Sequence, residues 1–171
     1  MFDKRIKIIL AGLLFITAIW QFIENNIGNG IFLCLITGIV VGLYFKNEML
    51  LWAFLKLRKQ DMQGTSAILD KIKDPEKSLV TKQQGYYNFL KGIISSQTNM
   101  NQAEKYLRKA INLGLNLDQD LAMAKLNLAG IAMNKRRKRE AQNLITEAKK
   151  LDKNGLLKEQ IQMMKQQLKR I

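Results

Sequence analysis

The 171-residue chain contains no histidine, a single cysteine, and only 14 acidic residues against 28 basic ones. Without histidine, the side chain that most often acts as a general base near neutral pH and as a metal ligand is unavailable. One cysteine can form no internal disulfide, and without histidine it builds neither a zinc cluster nor a Cys–His nucleophile pair. Cys34 lies in an apolar run, where a small buried hydrophobe is the simplest reading. The acids include no pair whose helical spacing and apolar setting would tune one as acid and the other as base, and no phosphate-cradling glycine loop occurs. These shortages argue against an enzyme, a cofactor, a metal centre or a small-molecule substrate. They leave a protein that binds something.

What is abundant is positive charge and apolar sequence. A net charge of +14 suits anionic partners such as lipid headgroups or nucleic acid. Residues 8–23 are apolar except for Thr17 and Gln21, and residues 31–45 are apolar except for Thr37 and the glycines. Each run approaches the ~20 residues of a spanning helix only by borrowing its flanks, 6–7 for the first and 27–30 for the second. The turn between them, 24–30, holds no Lys or Arg and is rich in turn-forming residues. Lys4, Arg5 and Lys7 precede the pair, and Lys46, Lys56, Arg58 and Lys59 follow it. The positive-inside rule then predicts two spans in the cytoplasmic (inner) membrane with both termini in the cytoplasm. Residues 46–60 continue apolar nearly all round a helix, which leaves two placements open: a helix at the membrane interface, or the first helix of the domain that follows. The expected organisation is a transmembrane hairpin over 1–45, a connecting helix over 46–62 and a helical domain with a terminal capping helix over 63–171.

Within that domain, Gly64 reads as a break, 65–72 as a short helix, and Asp74-Pro75 as the cap and first turn of a long helix ending near Gln97. Asn101 and Glu104 have capping-box spacing, and Asp118 and Asp120 read as caps of a later helix. The stretch 101–113, NQAEKYLRKAINL, is echoed by 139–151, REAQNLITEAKKL. Ala103, Leu107 and Ala110 return as Ala141, Ile145 and Ala148 at one offset of 38 residues. A fixed period between about 20 and 50 residues marks stacked units, each too small to bury its own apolar face. Asn154-Gly155 then stops the second copy, and 156–170 places Leu157, Ile161, Met164 and Leu168 on one stripe of a terminal helix with a polar outer face.

This pattern resembles the tetratricopeptide repeat family, whose unit is a helix–turn–helix of about 34 residues. Tyr87, Leu90, Ile94, Ala103, Leu107 and Ala110 fall on the family's positions without a gap, although Lys91 stands where Gly is usual and Leu115 where Pro is. Leu128, Ala129, Ala132, Ala141, Ile145 and Ala148 form the second copy, with Lys125 and Lys153 replacing the aromatic and the Pro and four extra residues fitting in 114–120. The resemblance implies an all-α chain in which the transmembrane hairpin precedes a short α-solenoid. It implies a concave groove lined by first helices, here Asn88, Gly92, Ser95 and Ser96 with Met123, Leu126, Gly130, Met133 and Asn134. That lining lacks the cationic clamp by which some members hold a terminal carboxylate, so the implied partner is an apolar peptide segment or a membrane-complex component. The implied function is a membrane-anchored scaffold, or adaptor, that holds another protein.

The alternative rests on Lys135, Arg136, Arg137, Lys138 and Arg139, five consecutive basic residues in a stretch that carries 13 basic and 4 acidic residues from Leu121 onward. Anionic lipid is the partner such a run suits, at about 1 kcal/mol per cation near a surface. Nucleic acid ranks below it, since no aromatic is interleaved with the run. The high Lys, Asn, Ile and Gln content is an association with AT-rich bacterial genomes.

Overall fold

A computed structural model describes residues 4–45 and 48–170, with side chains described over 9–42 and 48–170. Every regular element among them is helical: α1 (Lys4–Ile23), α2 (Ile27–Phe45), α3 (Glu48–Arg58), α4 (Met62–Asp70), α5 (Pro75–Ser78), α6 (Thr81–Ser95), α7 (Met100–Leu113), α8 (Asp118–Asn134), α9 (Lys138–Leu151) and α10 (Lys158–Lys169). The chain is therefore all-α, as expected. Its contacts divide it into two units, Met1–Glu48 and Met49–Ile171.

The first unit is the α1–α2 hairpin. Ala11, Leu14, Ala18 and Gln21 on α1 and Gly30, Leu33, Thr37 and Val40 on α2 are drawn from solvent, each set at the three-and-four spacing of a helix seam. Small residues bring the helices close: a Cβ on Gly30 would lie 2.8 Å from the Phe22 ring. Asn25 takes the left-handed backbone (φ 59) that asparagine tolerates, and the Asn26 amide donates to the Gln21 carbonyl at 2.9 Å to close the turn.

No helix among the described residues is long and apolar enough to cross a membrane. This overturns the expected two-span placement in the inner membrane. The apolar runs are short without their borrowed flanks. Lys4, Arg5 and Lys7 occupy the first turn of α1, which leaves 8–23, about 24 Å of helix at ~1.5 Å per residue. Gly28-Asn29-Gly30 occupies the start of α2, so its unbroken apolar run begins only at Ile31. Both fall short of a hydrocarbon layer of about 30 Å.

In the second unit, one face of α3 packs as the first helix of the domain, while Leu51, Trp52 and Leu55 on its other side are exposed. Leu50 and Ala53 are buried in one core cluster with Leu69, Phe89 and Leu90, and Phe54 meets Tyr86 edge-on at 6.2 Å. Gly64 is not a break. Asp61 caps α4, its Oδ1 accepting from the Gly64 amide at 2.7 Å, and a Cβ on Gly64 would collide with that carboxylate. The long helix expected from Pro75 is interrupted, because Leu79 turns extended (φ −111, ψ 141) to bury its side chain. Gln84 Nε2 staples the break by donating to the carbonyls of Glu76 and Leu79 at 2.9 Å each. Asp74 at its start provides no side-chain cap. The cap of α7 is Asn99, whose Oδ1 accepts from the Gln102 amide at 3.1 Å, and this releases Asn101 and Glu104 from the capping box proposed for them.

The pairs α6–α7 and α8–α9 form the centre of this unit. Leu90, Ala103, Leu107 and Ala110 are buried in the first, and Leu128, Ala129, Ala132, Ala141, Ile145 and Ala148 in the second; Tyr87 and Ile94 are half-buried. The two core clusters share Met123 and Leu144 on their edges. Alanine at these positions lets neighbouring helices approach, and each larger side chain fills the space left between them. Gly85 is needed for a similar reason, since a Cβ there would stand 2.5 Å from the Gly114 carbonyl oxygen, a backbone atom that cannot rotate aside. Gly85→Ala should therefore destabilise the protein by about 1–3 kcal/mol, although alanine is the better helix former by ~1 kcal/mol. Urea unfolding followed by circular dichroism measures this, and an unchanged or raised midpoint would contradict the packing. Leu157 and α10 cover the second cluster, with Leu157, Ile161 and Leu168 buried on the stripe the sequence indicates.

Candidate partner-binding groove and basic turn

A cleft of about 570 Å³ opens between α3, α6, α8 and α10. One face of α8 supplies its wall: Met123, Asn127, Gly130 and Asn134 recur at helical spacing, with Leu126 and Ile131 at the floor. Opposite stand Gln160, Met163, Met164 and Gln167 of α10, while Leu57, Ile93, Ser96 and Met100 close the ends. None of these residues is charged, in a chain where 25% are. Asn127 and Asn134 donate to the Met123 and Gly130 carbonyls of their own helix at 2.9 and 3.1 Å, which directs their remaining polar atoms outward. A Cβ added to Gly130 would meet only the Met164 methyl, at 3.7 Å, so the cleft is open above it.

Of the residues the sequence assigns to a groove, Ser96, Met123, Leu126, Gly130 and Asn134 are brought together here. Met133 lines an adjoining hollow of about 310 Å³ with Gly130, Asn134, Gln167 and Arg170. Asn88, Gly92 and Ser95 lie outside the cleft. Asn88 is buried and donates to the Gln84 carbonyl at 2.7 Å. Gly92 is covered by Leu107, whose Cγ would stand 2.7 Å from an added Cβ, so this face of α6 meets α7 instead. Leu126 is only 4% exposed and contributes more to the core than to the cleft surface. The sequence missed the whole contribution of α10. Its one signal was Met163, 55% exposed on the side read as a polar outer face.

The basic turn is less free than its composition suggests. Lys135 Nζ donates to Glu104 Oε2 at 2.6 Å and to Asn101 Oδ1 at 2.5 Å, and Arg137 Nη1 reaches Glu104 Oε1 at 2.7 Å. Arg108 donates to the same Glu104 Oε1 at 2.8 Å, and both arginines also bond Glu140. The Glu104 side chain is 12% exposed. The Lys135 hydrogen bond, followed by those of Arg108 and Arg137, lowers its pKa to about 2 in spite of a burial effect in the opposite direction. Arg136, Lys138 and Arg139 are exposed and make no ion pair among the described residues. Lys138 and Arg139 border a shallow hollow of about 670 Å³ that also contains Glu140 and Glu147. Glu147 in turn pairs with Lys125.

Asp118 and Asp120 do not cap α8. Asp118 pairs with Lys153 at 2.9 Å, and Asp120 accepts from the Tyr86 hydroxyl at 2.8 Å. Burial, with Asp120 beside it, pushes the Tyr86 hydroxyl up to about 12. These pairs tie the start of α8 to α6 and to the end of α9. Comparison with protein-family models, with curated proteins and with solved structures gives no match.

Proposed function

We propose that the chain is a protein-interaction module whose cleft between α8 and α10 holds an uncharged, apolar segment of a partner protein, with the helix pairs α6–α7 and α8–α9 acting as tetratricopeptide-like repeats. The observation that carries this reading is an uncharged lining in a protein of net charge +14. A charged segment would lose its hydration in this cleft and gain no ion pair, whereas an apolar one gains by burial. Four methionines, Met100, Met123, Met163 and Met164, give the lining a surface that adapts to the shape of a bound helix or strand.

The test is a photo-crosslinking residue placed at Met163 in the full chain, with Thr146 on the exposed face of α9 as control. A discrete crosslinked protein from Met163 only, mapped to an uncharged apolar segment, is the expected result. Equal crosslinking from both positions, or mapping to a charged segment, would contradict the reading. Met163→Glu should weaken the same complex at least tenfold without lowering stability, because Met163 is not part of the core. Leu126→Glu would instead place an unpaired charge in the core and report on folding.

A second reading, binding of an anionic surface, is favoured by Arg136, Lys138 and Arg139, which are exposed and make no ion pair among the described residues. Charge reversal at these three positions should abolish binding to anionic vesicles and leave the groove complex intact. Binding through phosphates should also fall steeply as salt rises, which an apolar groove would not show.

A further inference from the structure

We propose that the outer face of α9 and α10 is a docking surface for a nucleic-acid duplex, held through its phosphates. It lies outside the cleft and does not depend on the cleft reading. Arg139, Lys149 and Lys150 fall on one side of α9, and Lys158, Lys165 and Lys169 on one side of α10, at three-and-four helical spacing. Five of the six are exposed and Lys165 is half-buried. The acids of these helices are directed elsewhere. Glu140 is held by Arg108 and Arg137, and Glu147 by Lys125, while Glu159 shares the side of Met163, four residues on. Ala141, Ile145 and Ala148 of α9 are buried in one cluster with Ile161 and Leu168 of α10, which fixes the two cationic rows side by side. Between the rows is a hollow of about 310 Å³ where Lys149, Lys158 and Lys165 converge with Gln162 and Asp152. Asp152 Oδ2 accepts from the Leu157 amide at 3.0 Å, and the three lysines outweigh its charge.

Charge calls for an anionic partner, and shape and composition select which one. The headgroups of a membrane lie in a plane, which cannot enter a hollow between two rows, and the residues that separate the cations, Gln142, Asn143, Thr146 and Gln162, are polar rather than the apolar kind that inserts among lipid chains. A single strand is held in large part by bases stacked on aromatic rings, and the sequences of α9 and α10 contain none. A duplex bound by its backbone needs neither. Each row covers about 16 Å at ~1.5 Å per residue, the length of about five phosphates of one strand at ~3.4 Å each. Packed helices lie ~8–10 Å apart, between the ~6 Å and ~12 Å widths of the two grooves of B-form DNA, so each row can follow one of the strands that border a groove. The side-chain amides of Asn143 and Gln162 add neutral donors of the kind that position a protein on phosphates.

Fluorescence anisotropy of a labelled DNA duplex of about 20 base pairs, titrated with the full chain, tests this. Six phosphate contacts predict that affinity falls about 10³-fold between about 50 and about 200 mM salt. Lys149→Gln with Lys158→Gln and Lys165→Gln should weaken binding at least tenfold at the lower salt and reduce the salt slope by about half. Lys71→Gln with Lys73→Gln and Lys77→Gln removes the same charge from exposed positions elsewhere and should change affinity by about twofold or less. Lys149→Arg with Lys158→Arg and Lys165→Arg should bind as wild type does, which separates lost charge from lost packing. Met163→Glu should also bind the duplex as wild type does, so the cleft reading and this one fail separately. Equal losses in the two glutamine triples, a weakened arginine triple, or a wild type that binds no duplex at the lower salt would overturn the proposal. Equal affinity for a single strand of the same length would overturn it too. So would a first glutamine triple that loses anionic phosphatidylserine vesicles but keeps the duplex, since lipid would then be the partner.

Discussion

Leu107→Ala should lower the folding stability of the protein by about 4 kcal/mol, near the upper part of the range of about 2.7–5 kcal/mol known for such truncations. The loss depends on how far neighbours can move into the space vacated. Leu107 is fully buried, and three positions near it are small: Ala103 and Ala110 on its own helix and Gly92 on α6. None of these three has a side chain that can swing into the gap, so much of the cavity persists. Urea denaturation at neutral pH measures the loss directly. A loss under about 1.5 kcal/mol would mean that α6 and α7 close on each other and that their spacing is not set by this side chain.

Glu104→Gln should cost about 2 kcal/mol at pH 7, because Glu104 accepts from three cations. Breaking a buried ion pair typically costs about 3–5 kcal/mol, but the cations around Glu104 are 24–46% exposed, and solvent reduces the penalty of leaving them unpaired. The folded-state pKa of about 2 lies below the ordinary 4.5. The carboxylate therefore contributes stability that is fully present above pH ~4.5 and is lost as pH falls towards 2. Glu140 is lowered in the same direction, first by Arg108, and adds to the same acid limb. The gap between wild type and Glu104→Gln should therefore shrink between pH 7 and pH 3. An equal gap at both values would assign the loss to packing rather than charge.

The sequence indicated the fold best where its periodicity was helical and its small residues were regular. The repeated Ala103, Leu107, Ala110 and Ala141, Ile145, Ala148 are buried, and the stripe of α10 is where the spacing put it. It failed where a side chain's partner lies far along the chain. Glu104 looked like a cap because only its near neighbours were visible, whereas its partners Lys135 and Arg137 lie more than 30 residues on. Leu79 interrupts a helix that local preference favours because burial outweighs one turn of hydrogen bonds. The groove was half legible: α8 presents a periodic face, but the opposite wall depends on how α10 folds back, which no spacing within either helix reveals. The spanning hairpin reached its length only with flanking residues that are charged or glycine-rich, and no described helix is long and apolar enough to cross a membrane.

A peptide-display selection on the full chain, performed at low and high salt with every enriched peptide re-measured against Met163→Glu, distinguishes the cleft from the basic turn. A cleft that holds apolar segments should select uncharged, apolar peptides whose affinity changes little with salt and falls at least tenfold in the variant. Enrichment of acidic peptides that are lost as salt rises and bind Met163→Glu as well as wild type would place the active surface at Arg136, Lys138 and Arg139 and contradict it.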